Sequence, residues 1–263
     1  MVKSAKKTRL DVALVERDLA ETRARAQALI MAGLVYRGTL RVDKASVMVL
    51  PDDEITVKGR DHPWVSRGGV KLAHGLSHFQ LDPTDRTCID VGASTGGFSD
   101  VLLHHGAAKV YAVDVGHGQL DWKLRNDPRI TVLERTNARH LDKEVIVDAI
   151  NAVVCDASFI GLRTVLPAAM AIAEEGAFLI ALIKPQFEVG KDQVGKGGVV
   201  RDPELHQMVC SEIRTWMDGL PDWSVRGIEE SPIKGPEGNV EFLIGAEKVL
   251  PHDSSGYPLT LQS

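Results

Sequence analysis

The chain is short of cysteine, aromatic residues, long apolar runs and net positive charge, and each shortage removes a class of function. Three cysteines (Cys88, Cys155, Cys210) in 263 residues are odd in number and widely spaced. That pattern fits neither a disulfide framework nor a zinc-ligand set, so reduced thiols in a cytoplasmic protein are expected. The longest useful apolar run, Ala177 to Ile183, has seven residues. It can form a core strand but falls far short of the roughly 20 residues that cross a bilayer. The basic N-terminus (Lys3, Lys6, Lys7, Arg9) leads into no apolar segment, so no signal peptide is expected. A net charge of −5 gives the whole chain no general attraction for nucleic acid.

The distribution of charge says something different. Residues 1–71 hold 14 Lys/Arg against 9 Asp/Glu, whereas the remainder holds 17 against 27. A basic front on an acidic body is the asymmetry expected when one module meets phosphates. The length suffices for one sizeable α/β domain and a small module in front of it.

The larger domain is organised around residues 86–98, Arg-Thr-Cys-Ile-Asp-Val-Gly-Ala-Ser-Thr-Gly-Gly-Phe. Cys88, Ile89 and Val91 read as a short buried strand. Gly92, Gly96 and Gly97 then permit a tight turn and close approach to a ligand before a helix opens near Phe98. A strand, a glycine turn and a helix N-terminus form the general nucleotide-binding device of open α/β sheets. The dinucleotide fingerprint is not met, because Ser94 stands where its second glycine belongs. Acidic Asp90 suits a cationic ligand better than a phosphate, and S-adenosylmethionine, with its ammonium and sulfonium, is such a ligand.

From residue 86 onward strand and helix patterns alternate, which predicts a mostly parallel, doubly wound sheet of seven strands. The strands are expected near 86–91, 109–114, 129–134, 150–155 and 177–183, with a late hairpin at 223–229 and 240–246. Helices are expected at 98–105, 163–173 and 203–217, and the Gly-rich stretch 189–200 as a mobile substrate loop. In such sheets ligands sit at the carboxyl ends of the strands. Asp114 ends the second strand, where a carboxylate can take both ribose hydroxyls, and Asn137 follows the third, near an adenine edge. The expected cofactor residues are Asp90, Gly92, Ala93, Ser94, Gly96, Gly97, Phe98, Asp114, Asn137 and Asp156.

Asp156 and Lys184 end the fourth and fifth strands, and Glu241 begins the last. If that strand runs antiparallel, Glu241 shares their rim. With Lys71 they make a candidate Lys-Asp-Lys-Glu set suited to methylating a ribose 2′-hydroxyl. A sugar hydroxyl is a poor nucleophile and needs a base as it attacks. A lysine serves only where burial and a second cation favour its neutral form. Lys184 is the expected base, Asp156 and Lys71 tune or position it, and Glu241 orients Lys71 or the ribose. No metal is expected.

In the front module, Leu10, Ala13, Leu14 and Val15 fall at helical spacing over 10–18. Thr22 is a plausible N-cap for a second helix bearing Ala26, Leu29 and Ile30 and ending at Gly33. Strand-like segments follow at 34–36, 46–50 and 55–57. Arg23 and Arg25 oppose the dipole at that helix start, which an external anion would explain. Arg9-Leu10-Asp11, Arg23, Arg25, Leu29-Ile30, Gly33 and Pro-Asp-Asp-Glu-Ile-Thr-Val at 51–57 resemble the S4-type RNA-binding domain. The sequence departs from it at Tyr36-Arg37-Gly38. The resemblance implies two helices on a small sheet. Arg9, Arg23 and Arg25, with Arg67 beyond the module, are the expected RNA contacts. The expected boundaries are an S4-type domain at 1–60, a linker at 61–70, a helix opening at Lys71, a methyltransferase domain at 71–250 and a tail at 251–263.

Four stretches carry a second likeness: Asp-Val-Gly-Ala-Ser-Thr-Gly-Gly-Phe at 90–98, Cys-Asp-Ala-Ser-Phe-Ile at 155–160, Ile-Lys-Pro-Gln-Phe-Glu at 183–188 and Gly-Asn-Val-Glu-Phe at 238–242. They resemble the TlyA (haemolysin-A-like) family of ribosomal RNA 2′-O-methyltransferases, whose catalytic half is similar to the FtsJ-type enzymes. The resemblance implies a Rossmann-like class I methyltransferase fold using S-adenosylmethionine to methylate cytidine ribose in 16S or 23S ribosomal RNA. It carries the catalytic tetrad onto Lys71, Asp156, Lys184 and Glu241, and the chain is expected to act as a monomer on ribosomal subunits. Rival readings are weaker on residues. An amino-directed base methylase usually has Asp/Asn-Pro-Pro-aromatic, and only the ends of that motif survive in Asp156-Ala157-Ser158-Phe159. A cytosine C5 enzyme needs a nucleophilic cysteine, and Cys155 lies in an expected buried strand. A haemolysin-like membrane protein finds no span or long basic amphipathic helix. A non-catalytic ribosome-assembly factor would need a vestigial ligand pocket, and nothing in the four stretches looks degraded.

Overall fold

The structure, a computed structural model, describes residues 7–17, 19–20, 22–58, 62–235 and 237–249. Lys3, Lys6 and the expected tail at 251–263 lie outside the described residues. The chain divides into two compact units, residues 1–63 and 64–263, each with its own apolar core.

In the smaller unit, β1 (Thr8–Arg9) leads into α1 (Leu10–Glu16), and α2 spans Arg23–Met31. Thr22 caps α2 as expected, its side chain accepting from Arg25 N at 3.1 Å. Then come β2 (Val35–Arg37), β3 (Leu40–Arg41), β4 (Met48–Val49) and β5 (Ile55–Val57). Strand β2 lies between β3 and β5, all antiparallel, and β1 pairs with β4. Leu10, Leu14, Ala26, Ile30, Val35 and Val49 fill the core between helices and strands. This is the two-helix, small-sheet module that the sequence predicts.

The larger unit opens with α3 (Gly68–Phe79), followed by β6 (Thr87–Val91), α4 (Gly97–His104), β7 (Lys109–Val113), α5 (Trp122–Arg125), β8 (Ile130–Leu133) and β9 (Ile150–Cys155). The second half holds α6 (Leu162–Val165), α7 (Pro167–Ile172), β10 (Ala173–Ile183), α8 (Pro185–Glu188), α9 (Pro203–Asp218), β11 (Trp223–Glu230) and β12 (Phe242–Lys248). The seven strands form one sheet in the order β11-β12-β10-β9-β6-β7-β8. Neighbours from β10 to β8 are parallel, while β12 runs antiparallel to both β10 and β11.

Side chains alternate between the two faces, as a pleated strand requires. Ile89, Val91, Val153, Cys155, Leu179 and Ala181 pack towards Leu162, Leu166, Val209 and Ile213 on α6, the α6–α7 junction and α9. Cys88, Val110, Ala152, Val154, Phe178 and Ile180 pack towards Leu72, Leu76, Val101 and Leu102 on α3 and α4. With both faces covered, the central strands become the near-continuous apolar runs seen in the sequence.

Three expectations change. Helix α3 begins at Gly68 rather than Lys71, and Trp64 is buried in the core beneath α3, so 64–70 belongs to the larger unit instead of a linker. The helix expected over 163–173 is two, α6 and α7, because Pro167 has no N–H to continue the ladder. The stretch 189–200 is fastened rather than loose at its far end. Asn239 accepts from Val200 N at 3.0 Å and donates to Gly198 O at 2.9 Å, and His206 Nε2 lies 2.9 Å from Val200 O.

Candidate functional site

At the end of β6 the chain turns at Gly92, whose φ is +79°. A Cβ there would stand 2.8 Å from Ala157 Cα and 3.0 Å from Ala157 N, both backbone atoms that cannot step aside. The turn is thus welded to the segment following β9, and Asp156 N donates to Val91 O at 3.1 Å. Gly96 and Gly97 make close approaches too, but to Leu120 and Leu124 and to Ser66 and Gly69. These two glycines therefore also serve packing of the protein on itself.

Beside the turn lies a cleft of about 390 Å³. Gly92, Ser94, Asp114, Asn137 and Asp156 line it, together with Gly116, Gln119, Thr136, Ser158, Phe159 and Ile160. Asp90, Ala93, Gly96, Gly97 and Phe98 stand outside that lining and shape the turn behind it. The Asp114 carboxylate is fixed by two backbone amides, Ser94 N at 2.8 Å and Gly116 N at 2.6 Å, one on each oxygen. Each oxygen keeps a lone pair for a further donor. Asn137 Oδ1 caps the short 3-10 turn Ala138–His140 by accepting from Arg139 N at 3.1 Å.

Asp90 is fully buried, and its Oδ2 accepts from Ser99 Oγ at 2.7 Å. Its Oδ1 has no hydrogen-bond partner among the described residues. Burial pushes the carboxyl up to about 7; the Ser99 hydroxyl opposes this, while the charges of Asp156 and Asp114 add to it. Unfolded, the group titrates near 3.9. An acid raised in the fold costs stability above its folded pKa, and the cost fades as pH falls towards the unfolded value. Cofactor-free Asp90→Asn should therefore exceed the wild type in Tm most at pH 8, with the gap more than halved at pH 5 and closing near pH 4. Thermal melts across that range check it, and a gap independent of pH contradicts it.

The four rim residues come together. Lys71 Nζ donates to Glu241 Oε2 at 2.6 Å. Asp156 lies between the lysines, Oδ1 at 2.6 Å from Lys184 Nζ and Oδ2 at 3.7 Å from Lys71 Nζ. The Asp156 Oδ1 contact has ion-pair distance without hydrogen-bond angles. Lys184 donates instead to the Asp156 carbonyl at 3.1 Å and to Ser158 Oγ at 2.9 Å. Side-chain exposure is 6% for Lys71, 7% for Lys184, 2% for Glu241 and 21% for Asp156. Only Asp156 opens appreciably to the cleft. Two cations facing two anions leave this buried set charge-balanced, which lowers the cost of its desolvation. The antiparallel β12 is what brings Glu241 to this rim. A Cβ on Gly235 would stand 2.6 Å from Glu241 Oε1, so that residue must be small for the carboxylate to fit.

Two of the expected RNA contacts are engaged within the smaller unit. Asp11 is buried, and Arg9 Nε and Arg23 Nε donate to it at 3.0 and 2.8 Å, with Gln27 Nε2 at 2.8 Å. The bond from Arg9, then those from Gln27 and Arg23, hold its carboxyl far below the usual carboxylate range, against the effect of burial. The anion that explains Arg23 at the start of α2 is therefore internal, which corrects the external-anion expectation. Arg25 is exposed and has no side-chain partner among the described residues. Arg67 belongs to the larger unit, where it donates to Lys234 O at 3.2 Å.

Sequence reasoning missed Ser158 and Phe159 as cleft residues. Phe159 is 90% exposed with φ +65°, unusual for a bulky side chain, and its ring stands 5.1 Å from that of Phe187. Its place directly after Asp156-Ala157-Ser158 was the available signal. Cys155 is buried in β9, and burial pushes its thiol up to about 12. A thiol so protonated cannot attack a cytosine ring, which removes the C5 reading. Among the described residues no helix is long and apolar enough to cross a membrane.

Comparison with known proteins agrees with this arrangement. The model of the FtsJ-like methyltransferase family matches residues 64–248, and that of the S4 domain matches residues 8–55. The 16S/23S rRNA (cytidine-2′-O)-methyltransferase TlyA of Mycobacterium tuberculosis is 48% identical over 241 residues, 91% of this chain and 90% of the relative. Hemolysin A of Brachyspira hyodysenteriae is 38% identical, covering 89% of this chain and 98% of the relative. A solved structure from Streptococcus thermophilus, provisionally named a hemolysin, superposes with a TM-score of 0.72 at 41% identity, over 94% of this chain and 90% of that one. With the family model covering the whole larger unit up to β12, and relatives aligning along nine-tenths of the sequence, the chain belongs to the FtsJ-like methyltransferases.

Proposed function

We propose that this chain methylates the ribose 2′-hydroxyl of cytidine in 16S or 23S ribosomal RNA, using S-adenosylmethionine, with residues 8–57 helping to hold the RNA. The observation that carries the reading is the buried Lys71–Asp156–Lys184–Glu241 cluster beside a nucleoside-sized cleft. The names of the relatives support the substrate.

The cleft fits the cofactor through the residues that line it. Asp114, held by two amides at the end of β7, is a preset acceptor for vicinal ribose hydroxyls. Asn137 Nδ2 remains for an adenine edge. When bound, S-adenosylmethionine supplies an electrophilic methyl group.

As the 2′-oxygen attacks, the neutral amine of Lys184 takes its proton and becomes the ammonium. Asp156 holds that ammonium on one side, with Ser158 Oγ and the Asp156 carbonyl fixing the direction of Nζ. Lys71, locked to Glu241, places a second positive charge at Asp156. Exposed Phe159 offers a flat face at the cleft lip, suited to stacking an unpaired base.

The test is direct. Purified protein, ribosomal RNA or subunits and methyl-labelled cofactor should yield a nucleotide resistant to alkaline cleavage at its 3′ side. Label on a base, with cleavage intact, would overturn the reading. For the cofactor, Asp114→Ala should weaken S-adenosylmethionine binding by about 1.5–3 kcal/mol, the worth of hydrogen bonds to a charged acceptor. Calorimetry measures it, and unchanged affinity would exclude Asp114 from the pocket.

A further inference from the structure

We propose that His74, His78 and Glu229 form a binding site for one divalent transition-metal ion, of which zinc fits the ligand set best. The inference is independent of the reaction proposed above. His74 and His78 are four residues apart on α3, which puts both imidazoles on one face of the helix. Glu229 comes from β11, the edge strand of the sheet.

The three groups converge. His74 Nε2 is 3.6 Å from Glu229 Oε1, and His78 Nε2 is 3.8 Å from Glu229 Oε2. The ligating atoms all lie within 4.8 Å of one another. Each carboxylate oxygen thus faces a different histidine, and neither contact closes to a hydrogen bond. Zinc bonds of about 2.0–2.1 Å set the edges of a tetrahedron near 3.3–3.4 Å, so small side-chain rotations would close the present triangle onto an ion.

A separate observation points the same way. His74 Nε2 is shielded from solvent yet has no hydrogen-bond partner among the described residues. A buried polar atom left so is uncommon and calls for an occupant. Two imidazoles and one carboxylate are an established zinc ligand set, with water completing the coordination. Side-chain exposures of 36, 42 and 37% leave a route for an ion from solvent.

The position gives such an ion a mechanical role. Lys71 lies one turn before His74 on α3, and Glu229 pairs with Leu243, two residues past Glu241. A metal bound here would tie together the helix and the hairpin that carry the Lys71–Glu241 pair.

Tag-free full-length protein would be titrated with cobalt(II), read by its visible absorption, and then with zinc as competitor. One equivalent should bind and raise Tm, and zinc should displace cobalt. His78→Ala and Glu229→Gln should each weaken cobalt affinity by about tenfold or more, while metal-free S-adenosylmethionine binding and far-UV circular dichroism stay unchanged. No stoichiometric binding, or binding that survives both substitutions, would overturn the proposal.

Discussion

Lys184→Ala should lower methyl transfer to about one per cent of the wild-type rate or less, with cofactor affinity and fold retained. General-base assistance is typically worth 10²–10⁴-fold, and the substitution removes that group alone. Asp156 keeps Lys71 as a counter-ion at 3.7 Å, so the rim stays charge-compensated in part and the sheet need not rearrange. Lys184→Arg should not restore the rate. A guanidinium keeps its proton at accessible pH, and its planar fork cannot reproduce the bonds to Ser158 Oγ and the Asp156 carbonyl. Single-turnover rates with saturating cofactor check both variants. An arginine enzyme near wild-type turnover would show that position 184 supplies charge and not proton abstraction.

Removing residues 1–63 should leave a folded protein that binds S-adenosylmethionine normally but methylates ribosomal RNA about 10²-fold less efficiently. The two units have separate cores, so the larger one loses no apolar packing of its own. The loss would be one of tethering, since a second binding module raises effective affinity by about 10²–10⁴ without touching the chemistry. RNA affinity of the intact protein should fall with salt as counterions are released, and more steeply than that of the shortened form. Equal methylation by both forms would give the small unit another task.

The sheet and most of the rim were legible because they rest on local patterns. Ile89 and Val91 alternate with Cys88 and Asp90, the run 177–183 marks a strand buried on both faces, and Thr22 announces a helix start. Asp156 follows β9 and Lys184 follows β10 directly, so sheet topology alone predicted that they would meet. Glu241 needed one further premise, an antiparallel last strand, and the fold supplies it. What was missed depends on contacts distant in sequence or on packing. Arg9 and Arg23 read as free cations because nothing local shows that Asp11 turns inward to receive them. That Leu120, Leu124 and Ser66 leave no room for a Cβ at positions 96 and 97 shows only in the packing. Ser158 became a partner of Lys184 only through the geometry after β9. The histidines of α3 carried no signal until β11 brought Glu229 beside them.

The reversed strand β12 also sets a timetable. It is the last strand among the described residues, yet it fills a gap between β10 and β11, both made before it. While the polypeptide is still emerging from the ribosome, β10 has an open edge and Lys71 has no Glu241 to hold. The rim is completed only when residues 241–248 have left the exit tunnel and slotted in. Until β12 pairs with β10, Lys71 lacks its carboxylate partner and the rim its balance of charge.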